Sequence, residues 1–205
     1  MTRLLGMFGF VLLLVLLFSA GSSAQSTISI GPQLGLNLAS ISVDPEPEGL
    51  EIDRTTFFMI GGFAEFRLGG GFALQPELWY LGKGAEGTSG GEASDVSLSY
   101  LEVPVLAKYT FESGGFKPFL IAGPYIGLNM SAELNNEDID EFIEAMDFGL
   151  VLGAGGEFAL QPKTALFFTL RYSLGLTEIQ SGDYFGTTEI KTDGIQLTVG
   201  AKFDL

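Results

Sequence analysis

Eight charged side chains spread over six segments are the residues of this chain best equipped to move a proton: Glu65, Arg67, Glu77, Glu102, Lys108, Glu157, Arg171 and Lys202. Glu102 with Lys108, or Glu77 with Arg171, would set a carboxylate base beside a cationic acid, the minimum for general acid–base work. Four acids facing four bases also describe an ion-pair network, and charges enclosed away from water have to be paired in this way. The balance favours the structural network over catalysis. The rest of the catalytic vocabulary is missing, because the sequence contains no histidine and no cysteine. That removes imidazole-dependent hydrolysis and acyl transfer, thiolate nucleophiles, thiolate metal ligands and disulfides. No catalytic residue and no cofactor is expected. Asp138, Asp140, Glu141 and Glu144 have the oxygen chemistry of a Ca²⁺ site, but their spacing does not fit an EF-hand loop. A plain solvated acidic loop is the preferred reading, with no specific metal.

The eight charges share one property of placement. Each lies on the polar side of a segment that alternates with a period of two, the signature of a β-strand. In 27–38 the even positions read Ile28, Ile30, Pro32, Leu34, Leu36 and Leu38, and the odd ones Ser29, Gly31, Gln33, Gly35 and Asn37. The same split recurs through 58–68, 72–80, 101–111, 120–130, 148–160, 166–176 and 195–205, and in all eight segments one face carries no charge. A face so uniformly uncharged asks for a hydrocarbon neighbour.

Alternation alone fits either a membrane barrel or a soluble, ligand-binding barrel with its apolar face inward. The content of the second face decides between them. It mixes Phe57, Met59, Phe63, Trp79, Leu81, Leu106, Phe119 and Ile121 with glycines and the eight charges, a poor water-exposed surface but a suitable filling for a narrow lumen. A Lys or Arg on the opposite face at the bilayer midplane would cost about 2–4 kcal/mol, and none is there. The expected fold is therefore all-β: an eight-stranded antiparallel up-and-down transmembrane β-barrel. Short turns at 69–71, 112–115 and 161–164 would face the periplasm, and long loops at 39–55, 83–96, 131–147 and 177–193 would face outward.

Residues 1–24 read as a cleaved signal peptide, with Arg3 ahead of the apolar run 10–18 and Ser22-Ser23-Ala24 before the cut, leaving 25–205 as the barrel domain. Export of the Sec type to the bacterial outer membrane follows. The formal net charge of −15 argues against nucleic acid as a partner, and 19 of the 25 acids fall in the four long loops. Within the third loop, 136–146 has helical spacing, with Ile139, Phe142 and Ile143 on one side, and predicts a short helix above the barrel. Phe66, Phe72, Tyr109, Phe111, Phe116, Phe158 and Phe203 gather on the outward face near the short turns, as an interfacial aromatic girdle would. Phe58, Tyr80 and Phe148 lie more sparsely near the long loops. Pro76, Pro104 and Pro124 fall inside strands of a barrel with no free edge, and bulges are expected there.

The stretch Tyr100-Leu101-Glu102-Val103-Pro104-Val105-Leu106-Ala107-Lys108-Tyr109 resembles the hallmark segment of the PorT-like (OmpX-like) outer-membrane β-barrel family of Bacteroidetes-type bacteria. The resemblance implies an eight-stranded barrel with this segment in a central strand, and a group whose namesake supports protein secretion. The last strand resembles the insertion signal read by the barrel assembly machinery, with Thr198, Gly200, Phe203 and Leu205 on its polar, glycine and two hydrophobic positions. Leu205 stands where the usual final aromatic would be.

The functional expectation is a non-enzymatic outer-membrane protein with a filled, charged lumen and acidic surface loops, in a structural or interaction role. Its partners would be outer-membrane lipid, the assembly machinery during insertion, and an extracellular or envelope protein. Two alternatives remain: a secretion-apparatus accessory or narrow channel, and the soluble periplasmic ligand-binding barrel.

Overall fold

The computed structural model describes residues 28–44, 50–89, 92–112, 114–135, 137–139, 143–179 and 189–205. The proposed signal peptide lies outside them. The described residues form strands β1 (Ile28–Asp44), β2 (Leu50–Gly69), β3 (Phe72–Ser89), β4 (Glu92–Thr110), β5 (Phe116–Leu134), β6 (Glu137–Asp138), β7 (Met146–Gln161), β8 (Thr164–Gly175) and β9 (Glu189–Asp204). Sequential neighbours pair antiparallel from β1 to β5 and from β7 to β9, β5 pairs with β7, and β1 pairs with β9 to close the ring. The two-residue β6 only folds back on the end of β5. The result is a closed eight-stranded antiparallel barrel.

Its wall has the polarity that the alternation requires. Leu34, Ile60, Leu150 and Leu170 lie on the outside, while Glu65, Glu77, Glu102, Lys108, Glu157 and Arg171 are buried within. The soluble barrel with an apolar interior at this level is thereby overturned. Lipid-facing rings form the girdle: Tyr109 packs on Phe72 and Phe111 with centroids 4.7 and 4.8 Å away, and Phe116 packs on Phe158 at 4.8 Å. At the same end, Gly69, Gly70 and Gly71 take φ of 96°, 60° and 84°, a run that only glycine adopts without penalty, and they close the β2–β3 hairpin in two residues.

The strands overshoot the expected segments at the other end. The 18 residues of β3 extend over roughly 60 Å at the usual rise per residue, far more than a hydrocarbon belt needs. Most of the residues expected to form the first and second long loops, and the last five of the fourth, instead continue the wall: β1 runs to Asp44, β2 begins at Leu50, β3 and β4 reach Ser89 and Glu92, and β9 begins at Glu189. Of the predicted helix over 136–146, residues 136 and 140–142 lie outside the described residues, and none of the described ones is helical. Glu137 and Asp138 are extended and pair with Leu134 and Glu133, and the Ile139 amide donates to the Ala132 carbonyl.

Prolines do not place the bulges. Pro76 pairs with Val105 and Trp79 with Glu102 in unbroken register, and Pro104 pairs with Tyr125 and Ala107 with Ala122 likewise. Pro124 sits opposite Leu150 in an uninterrupted ladder. The irregularities lie between Arg54 and Met59, Arg67 and Gly69, Ser99 and Tyr100, and Ala159 and Gln161. A missing N–H removes one hydrogen bond and needs no extra residue, whereas a bulge inserts one and reverses the facing of all that follows.

Candidate functional site

The lumen is filled in layers, and the register of the strands decides which charges meet. At the short-turn end, Lys108 donates to Glu65 at 2.7 Å and to Glu157, and Lys202 donates to Glu157 and, at 3.4 Å, to Glu65. Arg67, half-exposed at this mouth, donates to Asp204 at 2.7 Å and to Glu65 at 3.3 Å, and the Ser29 hydroxyl donates to Asp204 at 2.7 Å. Two acids sit between two lysines, and a further pair faces the periplasm.

Above them lies a largely apolar plug of Phe63, Leu106, Phe119, Ile121, Tyr125, Val151 and Phe167, with the Phe63 and Phe167 rings edge to face at 5.3 Å. Glycines make room for the rings: a Cβ at Gly61 would come within 2.7 Å of the Trp79 indole and one at Gly155 within 2.5 Å of the Phe119 ring. Beside the plug, Glu77 accepts from Arg171 at 2.7 Å, from the Trp79 indole N–H at 2.6 Å and from Gln75 at 2.7 Å. The guanidinium carbon of Arg171 lies 5.4 Å from the centre of the Trp79 ring.

A third cluster sits higher, around Lys83. Its Nζ donates to Asp147 Oδ2 at 2.8 Å and to the Tyr125 hydroxyl at 3.2 Å, and forms an ion pair with Glu102 Oε2 at 3.1 Å. Asp147 also accepts from Tyr125 at 3.1 Å, Thr177 at 3.0 Å and Thr192 at 3.3 Å. The Tyr100 and Tyr125 rings approach Lys83 Nζ at 4.9 and 4.5 Å. One lysine serves two carboxylates here, and three hydroxyl donors on Asp147 offset the missing second cation.

All eight sequence-predicted charges belong to these layers, but one predicted pairing is wrong. Glu102 does not meet Lys108: six residues apart on one strand, they stand roughly 20 Å apart along it and fall in different layers. Glu102 meets Lys83 instead. Sequence reasoning misses Lys83 and Asp147 because both lie just past the ends of the uncharged faces, inside the expected loops 83–96 and 131–147. The signal available was phase, since Lys83 continues the inward set Gln75, Glu77, Trp79 and Leu81. Of the acidic cation candidates, Asp140 and Glu141 lie outside the described residues, and among the described residues no group of three or more acids is arranged to hold a metal. In the last strand Thr198 is buried, a Cβ at Gly200 would meet the Phe167 ring at 2.5 Å, and Phe203 and Leu205 face outward.

A family model described as outer membrane protein beta-barrel domain matches residues 22–181. The chain belongs to that family. It is accordingly a protein of the bacterial outer membrane, crossing it with strands. Among solved structures this outer-membrane barrel is similar to OprG of Pseudomonas aeruginosa, with a TM-score of 0.62 and 13% identity over 88% of this chain and 96% of that one. A major outer membrane protein from Thermus thermophilus gives 0.57 and 12% over 88% and 100%. Neisserial surface protein A gives 0.54 and 17% over 86% and 97%. At these identities the likeness speaks for the fold alone. Comparison with curated proteins returned no match.

Proposed function

We propose that this barrel is a non-catalytic structural or interaction protein, one that presents an acidic extracellular rim on a plugged stem. The observation that carries the reading is the filling of the lumen. Trp79, Leu81, Leu106, Glu102, Val151 and Arg171 are each no more than 2% exposed, and an eight-stranded barrel is just wide enough for such a filling. Chemistry inside would need a substrate to displace paired ions: the Glu77–Arg171 and Lys83–Glu102 clusters are buried, and only the Glu65–Glu157–Lys202 cluster borders open space, at the short-turn mouth. The end above the membrane is different: Asp53, Glu86, Asp95, Glu133, Glu137, Glu144 and Glu178 are exposed there, so a basic surface or a cation-bridged envelope component is the complementary partner.

The test joins two measurements on protein in lipid. Planar-bilayer recording should give no stable open current, and zwitterionic nanodiscs carrying the protein should bind a lysine-rich peptide in a salt-sensitive manner. Binding should fall when Glu86, Asp95, Glu133 and Glu137 are changed together to the amides. A reproducible conductance would replace this reading with a channel, and unchanged binding would remove the rim's role.

The finer PorT-like assignment supports a second reading, an accessory to a secretion apparatus. It rests on the hallmark resemblance of residues 100–109, and copurification with secretion components tests it. Recognition of Thr198, Gly200, Phe203 and Leu205 by the assembly machinery is proposed on the same basis, and Phe203→Ser should slow insertion.

A further inference from the structure

Above Lys83 the inward face changes character without changing strands. On β1 the inward odd positions go from Gln33 and Asn37 to Ile41 and Val43, and on β3 from Glu77 and Lys83 to Ala85 and Gly87. On β4 the inward even positions, followed upward, go from Lys108 and Glu102 to Leu98 and Val96. Outward positions at the same height are Ser42, Glu86 and Asp95, all exposed. This upper storey therefore has the polarity of a water-soluble barrel: apolar within, polar without. A water-filled mouth would favour polar side chains on both faces.

Among the described residues the upper storey is not fully packed. Its inner walls form a cavity of about 260 Å³, lined by aliphatic side chains from β1, β2, β4, β5 and β9, by Ile139, Ile143 and Ile179 from the connecting segments, by Ala85 and Gly87 of β3, and by Ser94 near the upper end of β4. Among the described residues no charged side chain lines it. Leu98, Tyr100, Ala132 and Ile179 form a tight cluster at its base, with the Lys83 layer beneath, so the cavity opens away from the membrane and leads nowhere.

We propose that this chamber is a binding site for a small neutral hydrophobic molecule. The occupant follows from shape and chemistry. A dry cavity of about 150 Å³ accommodates benzene, so this one suits a fused-ring or short-chain compound of about ten carbons. Walls on so many strands leave no room for a partner's helix or strand, and a charged or strongly polar ligand would find only the Ser94 hydroxyl to pair with. The proposal is independent of the acidic rim, which lies on the outer face.

Isoleucine methyls supply the test. Protein labelled at isoleucine δ1 carbons in nanodiscs is titrated with naphthalene and followed by methyl NMR. Ile41, Ile52, Ile139, Ile143, Ile179 and Ile190 report the chamber, and Ile28, Ile30, Ile60 and Ile195 on the lipid-facing wall report partitioning into the bilayer. The expected result is saturable shifts in the chamber set alone, lost in Ala85→Phe, which fills the space. If that variant does not fold, Ser94→Trp at the open edge is used. Shifts that are absent, that never saturate, that appear equally at the lipid-facing methyls, or that survive the filling variant would overturn the proposal.

Discussion

Below the level of Lys83 the wall turns leucine and phenylalanine toward lipid and stacks ions within; above it, the same strands turn isoleucine and valine inward and acids toward water. The two regions share a backbone, a hydrogen-bond ladder and a direction, so the difference lies wholly in what surrounds each. In the lower region the apolar solvent is outside, and polar groups survive inside only because nearly every charge has a partner. In the upper region water is outside, and burial of aliphatic surface supplies the driving force of an ordinary soluble core. A barrel wall can thus be read at each height by asking which side is wetter.

The comparison is broken most forcefully in the lower region by removing one member of an enclosed pair. Glu77→Leu leaves Arg171 without its carboxylate and should cost about 3–5 kcal/mol, measured as a fall in the urea midpoint of the heat-modifiable folded band in lipid. Glu77→Leu combined with Arg171→Met should recover most of that loss. A single variant as stable as the parent would mean that the ions are hydrated and the lumen is open.

An outward arginine gives the next largest effect and contrasts the two environments directly. Leu170→Arg, facing the hydrocarbon, should cost about 2–4 kcal/mol in the same assay. Glu86→Arg, equally outward but above the membrane, should change stability by less than about 0.5 kcal/mol. Between these lies the upper core. Ile179→Ala truncates a side chain 2% exposed and should cost about 2 kcal/mol. Hydrogen exchange should accelerate in the upper ends of β4, β5 and β9, while amides near Lys108 and Glu157 keep their protection. Equal acceleration in both regions would show that they unfold as one unit.

How much of this was legible in the sequence depends on height. The uncharged faces marked the lower region well because the cost of a charge in hydrocarbon leaves no exceptions among positions such as Leu34, Ile60, Leu150 and Leu170. The same criterion ended each segment where lipid ends, which is not where the strand ends. Two bulges compound the error, since those between Arg54 and Met59 and beside Ser99 and Tyr100 reverse the inward phase of β2 and β5 as the upper region begins. A strict period-two template loses those strands at that point. The charge set was nearly complete and the Glu77–Arg171 pair was named, but the other pairings were not, because Lys83–Asp147 and Lys108–Glu157 join strands that share no hydrogen-bond ladder. No spacing within one strand encodes a contact across the lumen.

The absence of cysteine makes the central claim, a reversal of polarity along one continuous wall, accessible to single spin labels. Cysteines placed at Leu34, Leu38, Asn37, Ser42 and Val43 of β1 in a lipid bilayer would each be tested for collision with oxygen and with a water-soluble nickel chelate. Oxygen access is expected at 34 and 38, nickel access at 42, protection from both at 37, and exclusion of nickel at 43. Free nickel access at 43, or oxygen access at 42 matching that at 34, would contradict the reversal.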